Sequence, residues 1–367
     1  MKQPKVGRRS FFSQVGGLIG AAWALPPAGP PADARLPNPV GYATLTWPES
    51  ELTHALQVIS THDFQGIQFL GWVSENYGGD RRGELQGLLK DLKLRPIALS
   101  CSGLKLHPGG ASPDSERMRG YADFFQHLGG RYLQVTDGGR PSVSYSAADI
   151  QGLGRQMNDL GKIAADHGLA LGYHPHFGTI GETREGLGRV LDATDPHHVK
   201  LIVDVAHLAL GGSDPAEIIR SYRDRLIFCH FKDVRKDIWE LARKDPNLVR
   251  RKTCHFCEIG SGAVNFAPIL SAFREVGFQG WVIVELDPCK ELAGGHKKQM
   301  LRGVYPERGT KGILALIHCI GVRMTSEEPA LPSTPLRDSE RSRTVSEANG
   351  AQHDRIDFFS NLPKCPD

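Results

Sequence analysis

Three apolar runs in the second half of this 367-residue chain each end in a side chain able to bind a cation. Val199-Lys200-Leu201-Ile202-Val203 ends in Asp204, Leu226-Ile227-Phe228-Cys229 in His230, and Trp281-Val282-Ile283-Val284 in Glu285. A fourth run, residues 169–173, ends in His174, with His176 two residues on. Two carboxylates and two imidazoles make a donor set for Mn²⁺, Fe²⁺, Co²⁺ or Zn²⁺ rather than Ca²⁺. A lone Asp at such a place is ordinarily a helix cap and a lone His a hydrogen-bonded core residue. Their recurrence at successive run ends points instead to one shared centre.

The runs themselves say how these side chains would meet. Short apolar, β-branched stretches bounded by polar residues read as buried parallel strands. Strands are expected at 39–42, 66–70, 96–100, 131–136, 169–174, 199–204, 226–230 and 281–285. Helical stretches alternate with them at 49–60, 83–92, 112–128, 146–167 and 183–193. The fourth opens on a capping-box-like Ser146-Ala147-Ala148-Asp149, and Asp214-Pro215 opens a further helix as N-cap and first residue. Eight βα units predict an α/β fold, a closed (β/α)₈ TIM barrel of one domain over 35–322, with its site at the C-terminal strand ends. A doubly wound sheet would want a Gly-rich phosphate turn after the first strand, and the sequence has none.

The first 34 residues hold four basic residues and one acidic one, which accounts for the whole net charge of +3. The remainder is neutral, so nucleic acid is not an expected partner. Gly7-Arg8-Arg9-Ser10-Phe11-Phe12, an apolar stretch over 15–25 and Ala32-Asp33-Ala34 stand in the order of a twin-arginine export signal. Residues 1–34 are therefore expected to engage the twin-arginine translocation machinery and deliver a folded, metal-loaded protein to the periplasm. The seven cysteines are irregularly spaced and form no disulfide framework. Cys254-His255-Phe256-Cys257 reads as loop cysteines, with half a zinc site, a redox pair or one disulfide as alternatives. Residues 233–262 form a long basic loop with Arg235, Lys236, Arg243, Lys244, Arg250, Arg251 and Lys252, expected to be functional. Residues 323–367 read as a disordered tail. Residues 291–321 should hold the eighth helix, though their helical pattern is poor. Nothing in the sequence sets the oligomeric state.

The chain resembles the sugar phosphate isomerase/epimerase family, the xylose isomerase-like TIM barrels, and within it the inosose dehydratase-like branch. The resemblance covers about residues 38–290. It is carried by Asp204-Val205-Ala206-His207, His230-Phe231-Lys232-Asp233-Val234-Arg235, Glu258 to Phe266 and Val284-Glu285-Leu286-Asp287. It implies one divalent ion, Mn²⁺ before Co²⁺, Zn²⁺, Fe²⁺ or Mg²⁺, held by a strand-five residue with Asp204, His230 and Glu285. The chain departs from the family at strand five, where His174 stands in place of a glutamate ligand. That speaks against two metal-bound glutamates acting as paired bases. The resemblance further implies proton abstraction next to a carbonyl through an enediolate. Glu285, Glu258 or His176 is the candidate base, and His207, Arg235 and Lys232 are candidate substrate contacts. Lys105 and His107 are weaker candidates, and Trp47, Trp72 and Trp239 are rim or core residues that can stack on a sugar.

The expected activity is sugar isomerisation or epimerisation on an unphosphorylated sugar, cyclitol or keto-glycoside. A carbon–oxygen lyase of the inosose dehydratase or keto-glycoside type shares the first half-reaction. A non-catalytic sugar-binding barrel is the alternative outside enzymology. A DNA-repair endonuclease of the same superfamily would want an Asp and a His where Cys254 and Phe256 stand.

Overall fold

The computed structural model describes residues 38–62, 64–104, 114–138, 145–250, 252 and 254–288. Eight strands close into a parallel barrel: β1 (Val40–Ala43), β2 (Gly66–Leu70), β3 (Arg95–Leu104), β4 (Tyr132–Asp137), β5 (Ala170–Tyr173), β6 (Val199–Asp204), β7 (Leu226–Phe231) and β8 (Trp281–Val284). Each pairs with its chain neighbour, and β8 closes on β1 with Val40 opposite Val282. This is the (β/α)₈ barrel that the alternating runs predict. The expected export signal over 1–34, Lys105, His107, the helix expected within 291–321 and the tail expected over 323–367 lie outside the described residues. No helix among the described residues is long and apolar enough to cross a membrane.

Period-two alternation sorts the strand residues into two faces. Leu133, Val135, Leu171, Tyr173, Leu201, Val203, Cys229, Phe231, Val282 and Val284 join the large core shared with the surrounding helices. The opposite parity fills the barrel: Ala98, Ile202, Phe228 and Ile283 form a separate buried cluster with Tyr132 packed on it. The room is tight, since a Cβ on Gly172 would run into the Ile202 side chain. One step further along the same parity, the filling turns polar: Gln68, Ser100, Gln134, His174, Asp204, His230 and Glu285. The site is therefore the top layer of the barrel's own interior.

Local chemistry sets the helices that hold this frame. Ser146 and Asp149 form a reciprocal capping box at the start of Ala147–Asp166. Thr183 caps Arg184–Asp192, and Asp214 caps Pro215–Ser221 with Pro215 in the first turn. Each cap satisfies a backbone N–H that has no partner within its helix.

The basic stretch after β7 is folded, not an extended loop. Asp233–Val234 pairs antiparallel with Phe256–Cys257, and helices Lys236–Lys244 and Pro246–Arg250 lie between. Val234, Ile238, Ala242, Val249 and Phe256 bury a small core against Phe177, Ala206 and Leu210. The Arg250 guanidinium forks onto the buried Glu182 carboxylate and lies over the Phe177 ring. Cys254 is disulfide-bonded, whereas Cys101, Cys229 and Cys257 are free thiols, so Cys254 and Cys257 do not pair with each other.

Asp233 ties this cap to the turn before the helix Phe266–Glu275. Its Oδ1 accepts from the backbone N–H of Val234 and Val264, its Oδ2 from Gly260 and Gly262. A Cβ at Gly262 would collide with that carboxylate and with the Val234 carbonyl. Asp233→Ala strands four inward-turned amides and is expected to cost about 3 kcal/mol, lowering the melting temperature by roughly 6–12 °C. A melting temperature unchanged by this variant, read by circular dichroism, would contradict the assignment.

Candidate metal centre

Adjacent strands bring the expected residues together. Asp204 ends β6 directly opposite His230 of β7. Glu285 follows β8, its N–H donating to the Phe231 carbonyl at 3.1 Å. His174 follows β5, its N–H donating to the Val135 carbonyl at 2.8 Å. All four side chains are buried. Asp204 uses Oδ1 to cap the short helix Val205–Leu210, accepting from the N–H groups of Ala206 and His207 at 2.9 Å each. That leaves Oδ2 as the hub. It lies 3.6 Å from His174 Nε2, 3.6 Å from His230 Nδ1, 3.9 Å from His207 Nε2 and 3.6 Å from Lys232 Nζ. His230 Nε2 is 3.5 Å from Glu285 Oε2.

Three of these atoms, His174 Nε2, Asp204 Oδ2 and His230 Nδ1, are buried with no hydrogen-bond partner. Buried polar atoms are rarely left so, because desolvation without a new partner is costly. Asp204 Oδ2 and a ring nitrogen that carries a lone pair are satisfied together by a cation at that point, and nitrogen plus carboxylate oxygen suits a transition ion. Asp204, His230 and Glu285 can each offer one ligand atom to a common centre, as can His174, Asp204 and His207. The residues present therefore fit a divalent ion.

Lys232, two residues after His230, is the other charge in the centre. Its ammonium donates to Glu285 Oε1 at 2.6 Å and Asp287 Oδ1 at 2.8 Å, stands 3.2 Å from His207 Nε2, and lies 4.6 Å from the Phe256 ring centroid. Burial alone would push the ammonium down, but Asp287, Glu285 and Asp204 together hold it above its ordinary value. Burial works to raise the Glu285 carboxyl, yet His230 and Lys232 bring it down to about 2. His176 is only partly buried by its surface, and its ring lies against His207 with centroids 3.6 Å apart. Desolvation, followed by His174 and Lys232, lowers His176 to about 3. His176 Nδ1 bonds the Phe177 carbonyl at 2.7 Å, so the lone pair of its neutral ring sits on Nε2. Both ring nitrogens of His207 face a donor, Nδ1 the Phe177 N–H at 3.3 Å and Nε2 the Lys232 ammonium at 3.2 Å.

The expected substrate contact Arg235 and the candidate base Glu258 make no hydrogen bond to this cluster among the described residues. Arg235 spends its guanidinium on Asp237 and the Cys254 carbonyl. No hydrogen bond or ion pair among the described residues joins Glu258 to the centre, although its segment folds back through the Asp233 turn. Trp47 is core, edge-on to Tyr42. Sequence reasoning passed over Gln68 and Gln134. The signal was there: one amide in each of the buried strands Gly66–Leu70 and Tyr132–Asp137. It also passed over Asp287, which shares Lys232 with Glu285.

The sequence profile described as xylose isomerase-like TIM barrel matches residues 56–302. An inosose dehydratase of Geobacillus kaustophilus is 35% identical over 155 residues, 42% of this chain and 50% of that protein. The inosose dehydratase of Bacillus velezensis is 27% identical over 274 residues, 70% of this chain and 89% of that protein. The match thus spans between half and nine-tenths of these curated relatives. Among solved structures, the IolI protein with a bound zinc atom superposes with a TM-score of 0.59 at 16% identity, covering 77% of this chain and 98% of that one. At that identity the likeness speaks for the fold alone.

Proposed function

This chain belongs to the xylose isomerase-like TIM barrel family, and on that premise we propose that it is a metal-dependent enzyme that removes a proton beside a carbonyl of an unphosphorylated keto-sugar, inosose or keto-glycoside. The observation that carries the reading is the convergence of His174 Nε2, Asp204 Oδ2 and His230 Nδ1, all buried and all unpartnered. Asp204, His230 and Glu285 would hold the ion, with His174 turned toward the same point. A divalent ion there supplies Lewis acidity, polarising a ketone oxygen and its neighbouring hydroxyl so that the adjacent C–H becomes acidic. Two carboxylates in the donor set favour Mn²⁺.

The chain's own groups do the rest. Desolvation keeps the His176 ring neutral with its lone pair on Nε2, a weak base that takes the proton once the C–H beside the polarised carbonyl is acidic. Glu285 is fixed by Lys232 through Oε1, which leaves Oε2 for the centre. Among the described residues, the Lys232 ammonium is the one fully buried proton-rich cation beside these carboxylates, placed to donate to an oxygen that gains charge or leaves. That favours expulsion of a β-hydroxyl, a dehydration, and the two inosose dehydratase relatives point the same way. The second outcome of the same enediolate is return of the proton, giving epimerisation or isomerisation. Half-buried His176, able to give back what it takes, supports it.

The test is turnover of inososes and 3-keto-glycosides in deuterated buffer. Dehydration gives an enone or dione absorbing in the ultraviolet. Epimerisation or isomerisation gives deuterium in a product of unchanged formula. Neither product and no solvent exchange, from protein with bound metal, would reject the catalytic reading in favour of a sugar-binding barrel.

Export to the periplasm through the twin-arginine machinery is part of the proposal, and the Cys254 disulfide supports an oxidising compartment. Replacing both Arg8 and Arg9 by Lys is expected to leave the protein in the cytoplasmic fraction, whereas unchanged fractionation would remove the signal.

A further inference from the structure

Four buried polar side chains make a continuous belt across the barrel interior from β7 to β5. His230 Nε2 lies 2.7 Å from Gln68 Oε1. Gln68 Nε2–H donates to Gln134 Oε1 at 3.2 Å. Gln134 Nε2 lies 3.1 Å from His174 Nδ1 and gives its other N–H to Ser100 Oγ at 3.3 Å. The remaining nitrogens of the two rings, His230 Nδ1 and His174 Nε2, are the pair that faces Asp204 Oδ2.

A primary amide accepts at one end and donates at the other. Two amides in series must therefore run in the same direction. In the direction the structure shows, His230 donates Nε2–H to Gln68, and its Nδ1 carries a bare lone pair. Gln134 then donates to His174 Nδ1, so the proton of the His174 ring sits on Nε2. Turning both amides exchanges the two roles. Turning only one sets two NH₂ groups, or two carbonyls, against each other at 3.2 Å in the buried interior, which costs an unmade buried bond at each. In no satisfied arrangement do both rings show Asp204 a bare nitrogen.

We infer that this belt makes His230 the sole imidazole ligand of the ion and holds His174, the residue at strand five, as an N–H donor toward the centre instead of a ligand. The ion is then gripped by Asp204, His230 and Glu285. The His174 Nε2–H, 3.6 Å from Asp204 Oδ2, is a positioning group that serves that carboxylate or an oxygen bound beside it. Gln68 and Gln134 set the tautomers of both histidines without touching the ion. The inference rests on the metal reading above and refines it.

The experiment pairs long-range ¹H–¹⁵N spectra of histidine-labelled protein with Zn²⁺ titration by calorimetry. Without metal, the ring proton of His174 is expected on Nε2 and that of His230 on Nε2. Zn²⁺ should shift the bare Nδ1 of His230 and leave His174 protonated. His174→Ala is expected to weaken Zn²⁺ binding by less than about tenfold, and His230→Ala by more than about a hundredfold. Gln134→Glu gives a carboxylate that accepts from both Gln68 and His174. It should move the His174 proton to Nδ1 and tighten Zn²⁺ binding about tenfold, and the gain should vanish when His174→Ala is added. A gain that survives the loss of His174 would be mere added charge and would overturn the inference. So would a His174 resonance that loses its Nε2 proton on Zn²⁺ binding, or equal losses for the two histidine variants. A wild-type protein that binds no Zn²⁺ overturns the metal reading itself, and the inference with it.

Discussion

Asp204→Asn is expected to abolish tight metal binding and to cut turnover by at least about a thousandfold, roughly 4 kcal/mol in the barrier, while leaving the barrel folded. The two halves of this expectation come from the two oxygens. Oδ1 accepts from the Ala206 and His207 amides, and an asparagine keeps that cap. Oδ2 is the atom on which the distances to His174, His207, His230 and Lys232 converge. Asparagine replaces it with an NH₂ that faces the Lys232 ammonium and the His174 ring N–H, so the point of greatest negative charge becomes a donor. A calorimetric titration with Mn²⁺, with far-ultraviolet circular dichroism on the same sample, reads both halves. Wild-type affinity in a folded Asp204→Asn protein would remove Asp204 from the centre.

Lys232→Met is expected to act on stability and on catalysis at once. In the protein without metal, the ammonium is the counter-charge of Glu285 and Asp287, and the methionine leaves two carboxylates in a buried site without it. Removing one partner of a buried pair costs about 3 kcal/mol or more, which corresponds to a melting temperature lowered by roughly 6–12 °C. Added divalent ion should restore part of that loss, because it supplies positive charge beside the same carboxylates. Turnover should fall by about a hundredfold or more even with metal restored, since no proton-bearing cation then stands beside the reacting oxygens. A variant as stable and as active as wild type would make Lys232 an onlooker.

The barrel was legible because each of its strands must bury both faces. Mainly apolar runs bounded by turn residues give 66–70 and 199–204 as strands with the very limits that the structure has. The ligand residues were legible for the same reason: a charged or imidazole side chain directly after such a run is out of keeping with it. The belt was not, although Gln68 and Gln134 also interrupt apolar strands. A single uncharged amide carries no signal of its own, and its meaning lies in the cross-barrel pairing with a histidine 162 residues away. The cap over 233–257 was misjudged as a loop because its basic residues dominate the count. Ile238 and Ala242, four apart on one helix, with Val249 and Phe256, supply the apolar face that folds it. Two of those basic residues, Arg235 and Arg250, are spent on Asp237 and Glu182.

The most direct measurement is X-ray diffraction from crystals of the purified protein at the absorption edge of its bound metal, with elemental analysis of the same batch. One ion per chain is predicted, with a single anomalous peak within bonding distance of Asp204 Oδ2, His230 Nδ1 and a Glu285 carboxylate oxygen. A protein that retains no metal after saturation with Mn²⁺ or Zn²⁺, or a peak elsewhere in the fold, would contradict the account.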